Sequence, residues 1–339
     1  MDYLVSIIIP VYKVEPYIER CLTSVICQTY HDSAIECILV DDCSPDNSIV
    51  IAQRVINSYR GNIDFKIIKN NINCGLSVAR NNGMKHASGK YIFFLDSDDH
   101  LKENCLQILI GALSEHPDAE VIMGNSFDQK QNTQYIRYND NQQILLDNTK
   151  LLKAYYMGAI PANVWNSLVL RELITNYQLS FVPKLIHEDV MWSAMLYPHV
   201  NKFIYIPEIT MVYTYNPSSI MNDTGTNAIK DLPHRIVIME KLLKTFNETC
   251  PIEYTFYLTF YLIMMLDMAN QCGSDQLAIV KGFRSQLMRH NIRKGIYAPI
   301  PFTLWMYNPL YQLFRFKFFR RNIGLIKKVT YAFVSLFSH

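Results

Sequence analysis

Short apolar runs alternate with amphipathic stretches along the first 125 residues of the chain. A compact run of β-branched and apolar residues is typical of a strand, and an apolar position at every third or fourth residue is typical of a helix. The pattern predicts four strands, at residues 4–9, 36–40, 65–69 and 91–95. It predicts three helices that alternate with them, at residues 16–28, 45–59 and 76–87. Because most of these strands are continuous apolar runs, we expect a parallel sheet with helices on both faces, which is an α/β fold.

The second of these helices has a start signal, because Ser44 is a favoured capping residue and Pro45 suits the first helical position. Beyond residue 150 the pattern is mixed. It predicts helices at 149–157, at about 164–175 and from about Asp189, and short strands near 203–206 and 209–215. Residues 228–295 have a helical pattern. The change of pattern predicts a domain boundary near residue 225.

The composition is that of a folded protein. The chain has 339 residues, of which 50% are hydrophobic and 18% are charged, so it can bury a substantial core. None of the eight cysteines forms a C-x-x-C pair or fits a zinc template, and we interpret them as reduced thiols of a cytoplasmic protein. No signal peptide is visible, and no apolar stretch reaches the roughly 18 residues that span a bilayer.

The C-terminal end of the chain is basic and aromatic. The formal net charge is +2, yet eleven Lys and Arg and no Asp or Glu follow Asp275. Aromatic and basic residues interleave in residues 302–339, which is typical of a helix that lies on an anionic membrane surface. We therefore predict membrane contact through this segment. The alternative is a helical lobe or a homodimer contact with a solvated basic face. Nucleic acid is not expected as a partner, because no recognised nucleic-acid-binding module accompanies the basic residues.

Two acidic clusters each follow a predicted buried strand. Asp41 and Asp42 come after the second strand, and the run Asp96-Ser97-Asp98-Asp99 comes after the fourth. Ligands of open parallel sheets bind outside the carboxyl ends of the strands. Carboxylates gathered there repel one another unless a cation is present, and Mg²⁺ or Mn²⁺ prefers oxygen ligands. The pattern predicts a divalent-cation site. The alternative is that these acids are helix caps and turn residues.

Glycine-rich phosphate loops are missing from the sequence. There is no G-x-G-x-x-G after the first strand and no G-x-x-x-x-G-K-[ST]. The sequence therefore argues against a dinucleotide-dependent dehydrogenase and against a P-loop nucleotidase.

Four segments in the first 100 residues resemble, in the right order, the characteristic blocks of family-2 glycosyltransferases with the GT-A fold. They are VSIIIPVY at 5–12, LVDDCSPD at 39–46, NCGLSVARN at 73–81 and the D-x-D element at 96–98. His187-Glu188-Asp189 resembles the downstream acidic motif of the family. One element departs from the pattern, because the W-x-K-L of relatives reads WNSL at 165–168 and lacks the lysine. The resemblance covers residues 1 to about 220.

The resemblance implies a GT-A nucleotide-binding domain at residues 1–225, with a mostly parallel central sheet between helices, followed by a helical C-terminal lobe at 226–339. Residues 1–125 would form the nucleotide-sugar half of the domain and 126–225 the acceptor half. The implied enzyme is an inverting glycosyltransferase of the bacterial cell-surface polysaccharide type. It would transfer sugar from a nucleotide-sugar, with a UDP-sugar favoured, to a glycan or lipid-linked glycan at the inner face of the membrane.

The resemblance also implies residue roles in donor binding. Pro10 and Tyr12 would cradle the base, and Asp42 would accept a hydrogen bond from it; Glu15 is a weaker candidate in the same loop. Gly75 belongs to the next block, in which Arg80 would pair with the diphosphate or with an acid of the D-x-D region.

The D-x-D element and the downstream motif complete the implied set. Asp98 is the first choice as ligand of Mn²⁺ or Mg²⁺, Asp96 would contact the ribose or the metal, and Ser97 would belong to the nucleotide-binding set. Glu188 and Asp189 are the catalytic candidates, and Asp189 would be the base that takes a proton from the acceptor hydroxyl. The plain alternative is that both acids only start a helix, where carboxylates are favoured.

Two other functions remain open from the sequence. A nucleotidyltransferase also uses an α/β sheet, carboxylates and Mg²⁺, but the loop at residues 10–14 has no glycine for a triphosphate. A catalytically silent carbohydrate-binding or scaffold protein would tolerate loss of Asp98 or Asp189.

Overall fold

The computed structural model describes residues 3–30, 34–134, 143–217, 228–245 and 252–293. The chain divides into two compact units, Met1–Asn227 and Ala228–His339. The predicted membrane-contact segment at 302–339 lies outside the described residues. Within the described ranges, no helix is long and apolar enough to cross a membrane.

The first unit is built on one mixed, mostly parallel sheet. Its strands are β1 Val5–Val11, β2 Ile35–Asp41, β3 Ile63–Lys69, β4 Tyr91–Phe94, β5 His100–Leu101, β6 Val121–Asp128, β7 Thr133–Gln134, β8 Ile144–Leu146, β9 Ser167–Leu170 and β10 Phe203–Tyr213. The order along the main path is β3-β2-β1-β4-β9-β6-β10-β5, with β7 beside β6 and β8 beside β10. β1 to β4 are parallel to one another, and so are β6 and β10.

Helices cover both faces of the sheet. They are α1 Ile18–Ile26, α2 Ser48–Ser58, α3 Leu76–His86, α4 Cys105–Glu115, α5 Asn148–Tyr156, α6 Arg171–Asn176 and α7 Glu188–Leu196. Ile7 and Ile9 share a buried cluster with residues of α1 and α4, whereas Ile8 faces Gly83 of α3, where a Cβ would lie 2.4 Å from its side chain. Alternate residues of β1 thus pack on opposite faces, as the apolar runs predict.

The predicted start of α2 is wrong. The helix begins at Ser48, and the hydroxyl of Ser44 does not cap it. That hydroxyl accepts a hydrogen bond from the backbone N–H of Lys13 at 2.8 Å and donates to Asp46 at 2.6 Å. Residues 42–47 therefore form a loop, because side-chain contacts with the β1–α1 loop compete successfully with helix formation.

The helix predicted at 164–175 is half wrong. Residues Ser167–Leu170 form β9, which pairs antiparallel with both β4 and β6, and only Arg171–Asn176 is helical. One strand on each side supplies hydrogen-bond partners for the backbone of this segment, so tertiary pairing overrides the local pattern. The two strands predicted after residue 203 are one strand, β10, with irregular register near Pro207. The strand β6 and the helix α4 are further elements that the pattern did not predict.

A buried carboxylate organises the edge of the sheet at which β2 begins. Glu36 accepts hydrogen bonds from the hydroxyls of Ser6 and Ser88 and forms an ion pair with Lys66 at 2.7 Å. Burial opposes its ionisation, but these hydrogen bonds outweigh burial and lower its pKa to about 2.

The second unit is helical where it is described. Its helices are α8 Ala228–Thr245, α9 Ile252–Cys272 and α10 Ser274–Arg293. Leu242 of α8, Leu258 and Leu262 of α9 and Leu287 of α10 are buried.

Candidate functional site

The carboxyl ends of β1, β2, β4, β6 and β10 lie at one edge of the sheet. The parallel pairs establish this direction, and β9, which is antiparallel to both β4 and β6, gives those two strands the same direction. The predicted donor-site residues lie at the end of β1 or follow β1, β2, β3 and β4. The segment after β10 reaches the same edge, so residues far apart in the sequence meet there.

Asp42 is buried, with 2% exposure, and organises the loop before α3. One carboxylate oxygen accepts hydrogen bonds from Asn70 Nδ2 at 2.7 Å and from the N–H of Cys74 at 2.9 Å. The other accepts from the N–H of Gly75 at 2.7 Å. Gly75 has φ +87° and precedes α3, a backbone geometry that favours glycine. That Asp42 also accepts a hydrogen bond from a base stays a prediction.

The loop after β1 carries the other predicted nucleoside contacts. Pro10 is buried in the strand, and Tyr12 is 39% exposed with the ammonium of Lys13 5.3 Å from its ring centre. An exposed ring at this edge is available for stacking. Glu15 has a different partner, because its two oxygens accept from the backbone and side-chain N–H of Asn47. Its contact with a nucleoside stays a prediction.

The D-x-D turn gathers three acids with different environments. The side chain of Asp96 is 22% exposed, while Ser97 and Asp99 are buried. Burial, followed by the charge of Asp96, raises the pKa of Asp98. Asp99 accepts from the N–H of Thr214 at 2.8 Å, and its second oxygen is buried without a hydrogen-bond partner. Charge repulsion and an unsatisfied oxygen are features that a bound cation relieves.

Residues 214–217, which we call the post-β10 segment, pack against this turn. Asn216 Nδ2 donates to Asp98 at 2.9 Å, and Asn216 Oδ1 accepts from the hydroxyl of Tyr17 at 3.4 Å. Arg20 donates both to the hydroxyl of Thr214, at 2.9 Å, and to the backbone carbonyl of Asp98, at 3.2 Å. The pattern of apolar positions did not reveal these partners, because they lie on α1 and after β10.

Arg80 connects the D-x-D turn to the downstream acidic motif. Its guanidinium, 2% exposed, pairs with Asp96 at 2.6 Å and with Glu188 at 2.5 Å. Its central carbon lies 5.3 Å from the centre of the Phe181 ring. Burial opposes the positive charge, but the two carboxylates outweigh it and raise the pKa of Arg80. One buried cation therefore joins an acid of the D-x-D turn to an acid of α7, and its planar fork suits two carboxylates.

Asp189 lies at the start of α7 beside Glu188. His187 precedes the helix in a left-handed conformation, with φ 61°, and Asp189 accepts from the N–H of Val190 at 2.9 Å. Burial, and then the charge of Glu188, raises the pKa of Asp189 to about 6. A carboxylate with this pKa is suited to accept a proton near neutral pH.

The tryptophans near the site belong to the core. Trp192 is 1% exposed and stacks on Phe181 at 4.3 Å between ring centres. Trp165 is buried and stacks on Tyr213 at 5.9 Å. In the segment that departs from W-x-K-L, Asn166 donates to the carbonyls of residues 124 and 125, so this segment holds strands together.

The acids of the D-x-D turn fit a divalent cation by their chemistry. Among the residues that the structure describes, no group of three or more His, Cys, Asp or Glu side chains forms a complete metal cage. Mg²⁺ is commonly held by one or two carboxylates together with substrate phosphates, so a full cage is not required. Asp98, with Asp96 beside it, supplies such a partial set.

Sequence and structure comparisons give a consistent result. Residues 6–175, half of the chain, match the model of the family described as glycosyl transferase family 2. The chain is 29% identical over 314 residues to the uncharacterized glycosyltransferase EpsJ of Bacillus subtilis, covering 86% of each chain. It is 30% identical over 271 residues to the UDP-Glc:alpha-D-GlcNAc-diphosphoundecaprenol beta-1,3-glucosyltransferase WfgD of Escherichia coli, covering 78% of this chain and 94% of that one.

The fold is similar to that of a solved structure. The crystal structure of residues 1–349 of Staphylococcus aureus TarS in complex with UDP-GlcNAc superposes with a TM-score of 0.64 at 17% identity. The match covers 87% of this chain and 93% of that chain. The likeness confirms the expected α/β architecture with its mostly parallel central sheet.

Proposed function

The chain belongs to glycosyl transferase family 2, and from this premise we propose that it moves a sugar from a UDP-sugar to a hydroxyl of a glycan or lipid-linked glycan, with inversion at the anomeric carbon. Membership of the family decides against a nucleotidyltransferase and against a catalytically silent carbohydrate-binding protein. The donor assignment is supported by the relative whose name specifies UDP-Glc and by the fold neighbour solved with UDP-GlcNAc. The same relative's name specifies a diphosphoundecaprenol-linked acceptor, which supports a bacterial surface glycan as product.

The single observation that carries the proposal is the double ion pair of Arg80. Asp96 belongs to the proposed donor site and Glu188 adjoins the proposed base, and both contact one buried guanidinium. Donor chemistry and proton transfer must occur within a few ångströms of each other, because the acceptor oxygen attacks the carbon that the diphosphate leaves. The ion pairs of Arg80 support this requirement, because they hold the two motifs close together.

For the donor, we propose that Tyr12 stacks on the uracil while Pro10 and Asp42 bound its pocket. The exposed ring of Tyr12 supports the first role. The three hydrogen bonds that Asp42 accepts leave the carboxylate with further acceptor capacity, since an ionised carboxylate has about four lone-pair sites. In the same proposal, the loop held by Gly75 forms the adjoining wall.

For the leaving group, we propose that Asp98, with Asp96 beside it, holds Mn²⁺ or Mg²⁺. A bound divalent cation would neutralise the charge that develops on the departing nucleoside diphosphate. Arg80 contributes a second positive charge close to Asp96 and orients that carboxylate. Because the leaving diphosphate needs no proton, the chain has to supply only one acid–base group.

Asp189 is the proposed acid–base group. It accepts the proton of the acceptor hydroxyl as that oxygen attacks the anomeric carbon from the side opposite the diphosphate, which inverts the configuration. Its pKa of about 6 keeps it mostly ionised at neutral pH while leaving it basic enough to take a proton. General-base assistance of this kind contributes roughly 10²- to 10⁴-fold in rate.

We also propose that the protein works at the cytoplasmic face of the membrane through residues 302–339. Their interleaved basic and aromatic residues support contact with anionic lipid. Sedimentation with anionic liposomes at low salt, compared with a chain that ends at residue 301, tests this contact. Equal sedimentation of both chains would count against it.

A thermal-shift screen tests the donor site. UDP, GDP and UDP-sugars are compared with and without Mn²⁺ on the wild type, on Asp98→Ala, and on Asp118→Ala as a control for losing an exposed acid elsewhere on the unit. A ligand at 100 times its Kd stabilises the protein by about 2.7 kcal/mol. We expect stabilisation by UDP compounds that requires Mn²⁺, is lost in Asp98→Ala and is retained in the control. No response of the wild type to any nucleotide would refute the proposed donor class.

A further inference from the structure

The post-β10 segment is bonded to two residues of the D-x-D turn and to the first residue of β5. Asn216 donates to the carboxylate of Asp98, and Thr214 donates its backbone N–H to Asp99. The hydroxyl of Thr214 also lies 3.5 Å from Nδ1 of His100. These contacts join residues that are more than 110 positions apart in the chain, so they depend on how β10 is placed in the sheet rather than on local sequence.

Of these contacts, only that of Asn216 is made by a side chain to a proposed metal ligand. Asn216 is buried, with 8% exposure, and its amide is oriented by its two partners. The NH₂ end must face Asp98 because only it can donate to a carboxylate, and the oxygen end then accepts from Tyr17 at 3.4 Å. The hydrogen bond uses one lone pair of the Asp98 carboxylate and leaves the others available to a cation.

Carboxylates that bind metals are usually hydrogen-bonded by other groups, which fix the direction of their lone pairs. Asp98 has no direct ion pair among the described residues, since Arg20 contacts its backbone carbonyl and Arg80 contacts Asp96. Each of these two carboxylates thus accepts a hydrogen bond from a buried side chain, Asp98 from the amide of Asn216 and Asp96 from the guanidinium of Arg80.

We propose that Asn216 is a positioning residue that fixes the carboxylate of Asp98 for a divalent cation, and that Tyr17 in turn fixes Asn216. The inference rests on the proposed function, because it takes Asp98 as the metal ligand. If the inference holds, metal affinity depends on Asn216 of the post-β10 segment and on Tyr17, which immediately precedes α1. Neither residue belongs to the D-x-D element.

The test measures Mn²⁺ affinity directly rather than activity. Mn²⁺ is titrated into full-length protein with saturating UDP, and the free ion is measured by electron paramagnetic resonance. The proteins are the wild type, Asn216→Ala and Asn216→Leu, which keeps the branching at Cγ without the polar atoms. Asn201→Ala is the matched control, because Asn201 also donates to a carboxylate, that of Glu120, at the surface of the same unit. Loss of a partner of a metal ligand typically weakens metal binding 10- to 100-fold.

We expect the Mn²⁺ dissociation constant to rise by about 10- to 100-fold in both Asn216 variants and to stay at the wild-type value in Asn201→Ala. Tyr17→Phe, which removes only a hydroxyl, should raise the constant in the same direction and keeps the test valid if the Asn216 variants do not fold. A wild-type constant in every folded variant would overturn the positioning role alone. Absence of UDP-dependent Mn²⁺ binding by the wild type itself would overturn the proposed metal site and this inference together.

A second measurement separates positioning of Asp98 from a general disturbance of the active site. The pH dependence of transfer at saturating Mn²⁺ reports Asp189, which lies on α7. We expect this profile to be the same in Asn216→Leu and in the wild type, with activity recovered by raising the Mn²⁺ concentration. A shifted profile, or a loss of activity that Mn²⁺ does not recover, would show that Asn216 acts in another way.

Discussion

Replacing the proposed base by its amide should change activity and stability in opposite directions. In Asp189→Asn the side chain keeps its shape and can still accept the hydrogen bond from the N–H of Val190. It can no longer take a proton from the acceptor, so we expect kcat to fall by roughly 10²- to 10⁴-fold. The donor site is on other elements, and the affinity for UDP with Mn²⁺ should change little.

The expected gain in stability comes from the raised pKa of Asp189. Burial and the charge of Glu188 raise the pKa from 3.8 to about 6 in the folded protein. The folded state therefore holds the proton more tightly than the unfolded chain, and the stabilisation from this proton is complete below pH 3.8 and lost as the pH rises through 6. A shift of about two pKa units corresponds to about 3 kcal/mol in the free energy of unfolding. At pH 7.5 the wild type loses at most this much stability, whereas the amide variant, which does not ionise, loses none of it.

The assay combines initial rates with thermal unfolding over pH 5 to 8. The wild-type kcat should rise with pH with an apparent pKa near 6, because only the ionised carboxylate accepts a proton. At pH 7.5 the Tm of the unit that contains the donor site should be higher in Asp189→Asn than in the wild type, by at most about 10 °C for a unit of this size. This transition is identified as the one whose Tm rises when UDP is added. The difference between the two proteins should shrink as the pH falls through 6 towards 5, because the wild type regains its proton there.

A matched control is Glu188→Gln. It removes the like charge beside Asp189, which should lower the apparent pKa of the activity profile, and it breaks the ion pair with Arg80, which should lower stability. The reasoning is refuted if Asp189→Asn keeps kcat within about tenfold of the wild type. It is equally refuted if the variant is less stable than the wild type at pH 7.5.

Three further substitutions test other parts of the structure. Arg80→Met leaves two partly buried carboxylates without their buried cation, and urea unfolding should show a loss of about 3–5 kcal/mol, with under 1 kcal/mol contradicting the double ion pair. Glu36→Gln should cost up to about 3 kcal/mol at pH 7. Because the pKa of Glu36 is lowered from 4.5 to about 2, this difference should disappear in unfolding curves as the pH falls through that range, and a pH-independent difference would contradict it. Gly75→Ala, at φ +87°, should cost about 1–3 kcal/mol and weaken UDP binding in the thermal-shift assay, whereas wild-type behaviour in both would show that the backbone there tolerates a side chain.

The features that the sequence predicts well are local. The apolar runs at β1, β2 and β4 are short, buried and bounded by polar residues, so strand and burial coincide within a few positions. Acids that directly follow such strands must lie at the carboxyl edge of a parallel sheet, since strand direction alone sends them there. The grouping of Asp42 with Asp96 and Asp98 at one edge follows from these two facts.

Local signals also explain the errors. The hydroxyl of Ser44 and the ring of Pro45 favour a helix start, but the contacts that Ser44 makes with the backbone of Lys13 and with Asp46 hold an open loop. The local pattern of β9 is consistent with a helix, and its partners β4 and β6 pair with it from 44 to 79 positions earlier in the chain. A strand inserted between two others takes its conformation from their unpaired backbone groups, which no short window of sequence contains.

Composition and short motifs by themselves determined the class of fold and the candidate acids that follow its parallel strands. Only the tertiary structure decided which of these side chains meet. Arg80 contacts Glu188 across 108 positions and Asn216 contacts Asp98 across 118, and each pair forms because separate strands and helices end at the same edge. A charged side chain can be buried only where partners offset the cost of removing it from water. Distant parts of the chain supply those partners when it folds.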